Sequence, residues 1–192
     1  MRDLKDLLIL LLGFIQWLLF LFLAGHSMTS LERALLISLA ASLVFGFRDL
    51  RHGFILQWGS LLFFLSCFIL VNILKNTWVA RHMDILANSF LAGLVWLTVL
   101  VGKPFALQYA RKDLPREKWN DPNFIRGCRS ITVVWGALMT FSVCVSVFKR
   151  ISPVSPPDWV YFDITLLTML AGVTYTTIFK RQKRLQREKA QR

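Results

Sequence analysis

The chain has 192 residues, of which 55% are hydrophobic and only 18% are charged, and its mean hydropathy is +0.52. Soluble domains average about 45–50% apolar and about 25% charged residues, so this composition excludes a soluble enzyme, a coiled coil and a disordered chain. The net charge is +12, but because the basic residues stand between apolar runs, we interpret them as a membrane topology signal rather than a nucleic-acid surface.

Six apolar runs divide the chain, and each is close to the roughly 20 residues that a helix needs to cross a bilayer. Together they leave no room for a separate soluble domain. We therefore predict an all-α, polytopic membrane protein with one domain over residues 1–192. The predicted transmembrane helices cover residues 7–24, 31–47, 54–74, 85–101, 131–148 and 159–179.

The first run is interpreted as a retained transmembrane helix rather than as a cleaved signal peptide. A secretory signal begins with net positive charge and has a shorter apolar core. Here Arg2 and Lys5 are balanced by Asp3 and Asp6, and a long apolar run follows them.

The second predicted helix combines a helix-start signal with a stripe of small residues. Thr29 and Glu32 have the spacing of a capping box, in which both side chains bond backbone amides of the first turn. Small residues then recur at every fourth position, on one helix face: Ala34, Ser38, Ser42 and Gly46. Because small residues let membrane helices approach closely, we predict a packing face here in preference to a ligand groove.

The fourth span ends at a sharp boundary, and an amphipathic segment follows it. Gly102 can take the left-handed conformation that ends helices, and Pro104 suits the start of another helix. Over residues 104–114, apolar side chains fill one arc while Arg111 and Lys112 lie on the other. We predict a helix that lies in the headgroup plane on the cytoplasmic side of the membrane.

The distribution of basic residues predicts the orientation. With six spans both termini lie on one side, and that side carries 18 of the 23 Lys and Arg residues. Since cytoplasmic loops are enriched in Lys and Arg, we predict cytoplasmic termini in a bacterial inner membrane. Near-surface cations attract anionic lipids. The predicted membrane-surface or partner-binding residues are Lys103, Arg111, Lys112, Lys180, Arg181, Lys183 and Arg184, the last four within a basic tail over 180–192.

The sequence carries no pattern typical of catalysis or cofactor binding. It contains no Gly-rich phosphate loop, no HExxH and no GxSxG motif. His26, His52 and His82 fall at loops or span ends, where they cannot ligate a transmembrane haem. His26, His82 and Asp84 share the predicted outer side without the ligand spacing of a metal site. The three cysteines indicate neither a disulfide framework nor zinc ligands. We predict no enzyme activity, metal or cofactor.

Few polar side chains fall inside the predicted spans. Asn72, Asn88 and Asp163 lie at similar depth near the outer ends of three spans, where an outward-facing polar pocket would need them. The favoured interpretation is that they bond neighbouring helices or headgroups, since interhelical polar bonds are common in bundles. Gln16 and Gln57 lie deeper, in the first and third spans.

The second half of the chain carries short motifs in a fixed order. Lys103-Pro104 directly follows a span, and a basic amphipathic stretch ends at Leu114-Pro115. The next features in order are Trp119, a span containing Trp135 and a Pro-containing loop. The final span is rich in Thr and Leu and opens with Trp159-Val160-x-Phe162. In these features residues 100–182 resemble the bacterial intracellular septation protein A family, although the insertion after Pro115 and the long basic tail depart from its pattern. The resemblance implies an envelope protein linked to division and membrane maintenance through contacts with other membrane proteins, with no enzymatic residues.

The sequence therefore predicts a non-enzymatic protein for envelope or membrane organisation. Its predicted partners are the lipid bilayer, anionic lipids and other membrane proteins, not nucleic acid. The sequence does not decide whether the chain forms a homo-oligomer. The alternative is a small-molecule or ion permease built from two three-span halves of opposite orientation. The sequence shows no clear internal repeat, and its spans lack Gly–Pro breaks, which counts against that alternative. A midplane cavity lined by Gln16, Gln57 and threonines of the last span would favour it.

Overall fold

A computed structural model describes residues 14–25, 27–111, 119–152 and 157–190, and all regular elements within these ranges are helical. The helices in chain order are α1 (Ile15–Leu23), α2 (Met28–Val44), α3 (Phe47–Arg51), α4 (Ile55–Phe68), α5 (Thr77–Arg81), α6 (Met83–Leu100), α7 (Phe105–Ala110), α8 (Pro122–Ile151) and α9 (Asp158–Ala190). A π-helical turn, Ile69–Ile73, extends α4.

Four segments within the described ranges are long and apolar enough to cross a membrane. They are Ile55–Ile73, Met83–Leu100, Pro122–Ile151 and Trp159–Lys183. In each of them less than half of the apolar stretch is buried inside the protein. Exposed apolar surface of this extent is typical of helices that face another apolar medium, such as bilayer hydrocarbon. The described part of the chain is therefore all-helical, with four helices that are capable of spanning a membrane.

The second predicted span is shifted in the structure, and the first is described only in part. The second was predicted over 31–47, but α2 begins at Met28 and ends at Val44. Its 17 residues extend about 25 Å, which is less than the roughly 30 Å of bilayer hydrocarbon. Of the first predicted span, residues 7–13 lie outside the described part of the chain, and α1 accounts for nine of the others.

The start of α2 differs from the predicted capping box. Ser27 is the N-cap residue, and its Oγ accepts a hydrogen bond from the backbone N–H of Ser30 at 3.1 Å. Thr29 therefore lies inside the first turn, and the carboxylate of Glu32 pairs with Lys75 Nζ at 2.7 Å instead. The capping-box prediction is wrong for two reasons. Ser27 caps the helix two residues before Thr29 by accepting from the Ser30 N–H, and the Glu32 carboxylate pairs with Lys75, which follows the π-helical turn.

Two helix boundaries in the second half follow local signals in the sequence. Gly102, directly after α6, has a φ of +73°. The side chain of Asp121 accepts a hydrogen bond from the backbone N–H of Asn123 at 2.9 Å, and Pro122 occupies the first helical position. This cap starts α8 nine residues before the predicted span 131–148, so the helix extends beyond the apolar run.

The core lies where α8 meets its neighbours. α6 packs along α8, α7 and α9 also contact α8, and α4 contacts both α2 and α6. Trp135 of α8 is 1% exposed, and its ring stacks on Phe14 with centroids 5.2 Å apart. Its indole Nε1 donates to Thr176 Oγ1 of α9 at 3.0 Å. Gly172 faces this ring, so α9 can approach α8 closely.

The two ends of the bundle can be told apart by their polar contacts. At one end Arg150 Nη1 donates to the carbonyl oxygen of Arg81 at 3.3 Å, which ties α8 to α5. At the other end the backbone N–H of Ile55 donates to Gln108 Oε1 at 3.0 Å, which ties α4 to α7. We name these the Arg81 end and the Lys103 end; the sequence predicts the first to be extracytoplasmic and the second cytoplasmic.

Candidate functional site

A groove of about 1210 Å³ opens at the Arg81 end of the bundle. Residues of α1, α2, α5, α6, α8 and α9 line it. Its deepest part is apolar and is formed by Trp17, Leu91, Met139 and Met169. Phe22 of α1 and Phe162 of α9 both line the groove, and their rings meet edge-on with centroids 5.3 Å apart.

A band of hydroxyl and amide groups lies between the floor and the rim of this groove. Asn88 Nδ2 donates to Ser146 Oγ at 2.9 Å and to the carbonyl oxygen of Asp84 at 3.0 Å. Thr165 lines the opposite wall, and its hydroxyl donates to the Tyr161 carbonyl one turn earlier at 2.9 Å. These groups are already bonded within the protein, so the band is polar without requiring a ligand to satisfy it.

Three cations stand at the rim of the groove: Arg81, Lys149 and Arg150. Arg150 bonds the Arg81 carbonyl, and its Nη2 lies 3.2 Å from His82 Nε2. Lys149 Nζ lies 5.2 Å from the centre of the Tyr161 ring. Asp84 is the acidic side chain among the described lining residues, so the described rim carries a net positive charge.

The structure does not bring together the three residues of the predicted polar pocket. Asn88 lines the groove, as described. Asn72 Nδ2 instead donates to the carbonyl oxygen of Glu32 at 3.1 Å, which joins the π-helical turn to α2. Asp163 is exposed on α9 and is not part of the groove lining. The three side chains share a depth but point in different directions around their helices.

The small-residue stripe of α2 is buried against α4. Ala34, Ser38 and Ser42 are each 0% exposed, and Gly46 is buried as well. Gln57 Nε2 of α4 donates to the Ser42 carbonyl at 3.1 Å, and a Cβ at Gly46 would overlap the Gln57 amide. The stripe is therefore filled by protein and forms no ligand groove.

The deep glutamines also form a helix contact rather than a cavity. Gln16 and Gln57 are each 1% exposed, and Gln16 Nε2 donates to Gln57 Oε1 at 3.3 Å. Neither residue lines the groove. The same interface is extended by Trp17, whose Nε1 donates to Ser60 Oγ at 2.8 Å.

The segment predicted as an interfacial helix over 104–114 is turned into the bundle. The structure has a six-residue helix, α7, and residues 112–118 lie outside the described ranges. Phe105 is 5% exposed, and its backbone N–H donates to Thr98 Oγ1 at 3.2 Å. The side-chain oxygen of Gln108, a polar residue of this segment, accepts the hydrogen bond from the backbone N–H of Ile55 at the start of α4. The described part of the segment therefore packs against the bundle at the Lys103 end, and a helix over the whole of 104–114 is not confirmed.

Tyr109 of α7 is held at this end. Its ring contacts Phe54 edge-on with centroids 4.9 Å apart, and its hydroxyl oxygen is buried. Burial raises the pKa of the Tyr109 phenol, and the negative charge of Asp49 raises it further. The hydroxyl is thus kept neutral across the physiological range.

The predicted surface cations near α7 occupy different environments. Lys103 is exposed directly after α6. The guanidinium of Arg111 lies 5.3 Å from the centre of the Trp119 ring, so it is partly engaged by a cation–π contact. Lys112 lies outside the described residues.

The tail cations lie on the continuation of α9. Arg181 and Lys183 are exposed, Lys180 is half-buried, and Lys183 Nζ lies 6.0 Å from the Phe179 ring centre. The backbone of Arg184 belongs to the same helix. The tail is therefore helical through Ala190 and has no break at the end of the apolar run.

Within the described ranges, no group of three or more His, Cys, Asp or Glu residues could hold a metal ion. Of the residues considered for such a site, His26 lies outside those ranges. His82 Nδ1 lies 2.8 Å from the Trp78 carbonyl, and its Nε2 faces Arg150. Both ring nitrogens of His82 therefore have protein neighbours.

Sequence reasoning missed the groove itself. Its walls come from positions as distant as Trp17 and Met169, and their apolar side chains look the same in sequence as lipid-facing ones. One signal was available, namely three cations on the predicted outer side: Arg81, Lys149 and Arg150. The orientation argument uses them only as part of the minority of basic residues on that side.

Comparison with known proteins adds no relative to this picture. No protein-family model matches the chain, and neither the curated proteins nor the solved structures yielded a match.

Proposed function

We propose that the chain is a six-span protein of the bacterial inner membrane, with both termini cytoplasmic, that organises the membrane or envelope without enzymatic chemistry. It acts through cations on its cytoplasmic side, which contact anionic lipids and other membrane proteins. A link to septation follows from the resemblance of residues 100–182 to the septation protein A family. The four candidate spans and the basic continuation of α9 support this proposal.

The observation that carries it is the length of α9. Its 33 residues extend about 50 Å, of which about 30 Å is needed to cross bilayer hydrocarbon. About 20 Å of basic helix then projects from the membrane. Lys180, Arg181, Lys183 and Arg184 fall at headgroup level, while Arg187 and Lys189 lie farther out.

This geometry divides the tail into two parts with different partners. Near-surface cations attract anionic lipid by about 1 kcal/mol each, and the attraction fades within about 10 Å of the surface. The four proximal cations are close enough for lipid contacts. The distal cations are placed for an acidic surface of a partner protein.

The test compares neutralisation of the proximal and distal cations. One variant carries Gln at Lys180, Arg181, Lys183 and Arg184; the matched control carries Gln at Arg187 and Lys189. We expect the proximal variant to co-purify with less phosphatidylglycerol and cardiolipin, measured by quantitative lipid mass spectrometry, while the distal control keeps its lipid and loses crosslinked membrane partners. Unchanged lipid, partners and cell length in both variants would contradict the proposal.

A permease is the second candidate, since the groove would admit a solute from the Arg81 end, but the rest of the bundle offers that solute no path across. The groove opens at the Arg81 end, whereas aromatic rings fill the bundle toward the Lys103 end, where Phe14 stacks on Trp135 and Phe105 lies edge-on to it. Its apolar floor and the engaged Gln16–Gln57 pair offer no polar path onward. Protein-dependent flux of small metabolites or ions into proteoliposomes, abolished by filling the groove, would establish this candidate instead.

A further inference from the structure

We propose that the groove at the Arg81 end is a binding site for one anionic phospholipid drawn from the outer leaflet. The headgroup phosphate lies at the cationic rim, and an acyl chain extends to the apolar floor. This site differs from the cytoplasmic tail contacts and does not depend on them, but it rests on the chain crossing a bilayer in the proposed orientation.

The depth of the groove matches one leaflet. Along α8 its lining runs from Arg150 to Met139, and along α9 from Trp159 to Met169. At 1.5 Å per residue these are about 16 Å and about 15 Å, which is half of the roughly 30 Å hydrocarbon core. The floor therefore lies near the bilayer midplane, where an acyl chain of the outer leaflet ends.

The chemistry of the lining changes along this depth in the order of a phospholipid. Cations occupy the rim, the Asn88–Ser146 hydroxyl and amide band follows, and Leu91, Met139 and Met169 form the floor. A phosphate, a glycerol ester region and a hydrocarbon chain meet these zones in turn. A small polar solute would leave the apolar floor empty, and a neutral apolar molecule would leave the Arg81 guanidinium without a counter-ion.

The rim favours an anion over a zwitterion. Arg81 is exposed, and its guanidinium points to no acidic partner among the described side chains. Arg150 is positioned by the Arg81 carbonyl and His82, which use part of its five N–H donors. Arginine binds phosphate oxygens in a bidentate manner, so this pair suits a phosphodiester. The extra ammonium group of a zwitterionic headgroup would meet a rim that is net positive, with Asp84 as its acidic side chain among the described lining residues.

The size of the groove also fits a lipid. Pockets for drug-sized molecules measure about 300–1,000 Å³, whereas this groove measures about 1210 Å³. Trp159 at the mouth is 65% exposed and Phe22 is 61% exposed. Aromatic residues at the interface are common anchors beside headgroups, and Trp159 and Phe22 would take that place at the mouth of the groove.

The test measures lipid binding by fluorescence quenching. The full chain in dodecylmaltoside is titrated with phosphatidylglycerol that carries bromine atoms on its acyl chains, which quench nearby tryptophans. Trp17 at the floor is the reporter, and Trp17→Phe identifies its share of the signal. We expect saturable quenching of Trp17 by brominated phosphatidylglycerol and at least fivefold weaker binding of brominated phosphatidylcholine.

Two matched pairs of variants locate the site. Arg81→Gln should weaken phosphatidylglycerol binding about fivefold, whereas Arg33→Gln, also at the Arg81 end but outside the groove, should not. Thr165→Phe should fill the groove and abolish Trp17 quenching. Thr177→Phe is its control, because Thr177 is on the same helix, bonds its own helix at the same 2.9 Å and lies outside the groove.

Several results would overturn the site. They are equal binding of the zwitterionic and anionic lipids, equal effects of Arg81→Gln and Arg33→Gln, or Trp17 quenching that survives Thr165→Phe. Because Arg81 is exposed, its variant keeps the proposal falsifiable if Thr165→Phe does not fold. Loss of the tail contacts in the proximal tail variant leaves all these outcomes unchanged, so the failure of either proposal is recognised separately.

Discussion

Replacing Trp135 by Phe should destabilise the bundle by about 1–2 kcal/mol. The indole donates to Thr176 Oγ1 at 3.0 Å between two helices, and such bonds contribute about 0.6 kcal/mol on average in membrane proteins. The smaller ring leaves a cavity of roughly 40 Å³, which costs about 1 kcal/mol at 24 cal/mol per Å³. Thr176 keeps its bond to the Gly172 carbonyl in this variant, so no polar group is left unpaired.

A double-mutant cycle isolates the hydrogen bond from the cavity. Thr176→Val preserves volume but leaves the buried indole N–H without its acceptor, and the double variant removes both partners. We expect a coupling energy of about 0.6 kcal/mol, with about 1.7 kcal/mol as the upper bound. The control is Thr177→Val, since that hydroxyl bonds only the Val173 carbonyl of its own helix and should not couple with Trp135.

Unfolding can be followed through the thiols. Cys67 and Cys128 are buried and Cys144 is exposed, so a Cys144→Ser background leaves two thiols that react with a fluorogenic maleimide only on unfolding. Midpoints of SDS titrations in dodecylmaltoside micelles then give the stability of each variant. A Trp135–Thr176 coupling no larger than the Trp135–Thr177 coupling would refute the assignment of this bond as an interhelical tie.

Two further predictions concern the packing of α2 and the Lys103 end. Gly46→Ala should lower the thermal midpoint of unfolding by several degrees, because its Cβ would overlap a side-chain amide of α4. Gly93→Ala is the control: a Cβ at Gly93 meets no heavy atom within 4 Å, so this variant should leave the midpoint unchanged or raise it slightly. Equal midpoints for the two variants would show that α2 and α4 are not in this close contact. Tyr109 has a folded-state pKa raised above its unfolded value of about 10, so its contribution to stability is complete below pH 10 and is lost as pH rises beyond it. Tyrosinate absorbs at 295 nm, so the difference between wild type and Tyr109→Phe at this wavelength reports ionisation of Tyr109. The difference should stay small from pH 9 to 11 in the folded protein and should appear on unfolding in SDS. A full tyrosinate signal at pH 10.5 in the folded protein would contradict the burial of Tyr109.

Local signals in the sequence predict the helix ends well where one residue decides them. Asp121 and Pro122 mark the start of α8, and Gly102 marks the end of α6, because capping and left-handed turns depend on neighbouring residues alone. The α2 start shows the limit of such signals. Two serine or threonine residues compete to cap, and the distant Lys75 takes the carboxylate that a capping box needs.

The site was less predictable because it depends on direction around each helix. Sequence gives the depth of Asn72, Asn88 and Asp163, but packing decides that Asn72 faces α2, Asn88 faces α8 and Asp163 is exposed. The same holds for α7, whose polar Gln108 bonds a backbone amide of α4 instead of water. Amphipathicity distinguishes apolar from polar arcs, but it does not distinguish lipid from a neighbouring helix.

Reporter fusions test the central claim, that the chain crosses the bilayer repeatedly with its basic segments on the cytoplasmic side. Alkaline phosphatase, which is active only outside the cytoplasm, would be fused after residues 52, 76, 103, 152 and 186, with green fluorescent protein as the complementary reporter. The account predicts phosphatase activity after 76 and 152 and fluorescence after 52, 103 and 186. Phosphatase activity after 103 or 186 would contradict it.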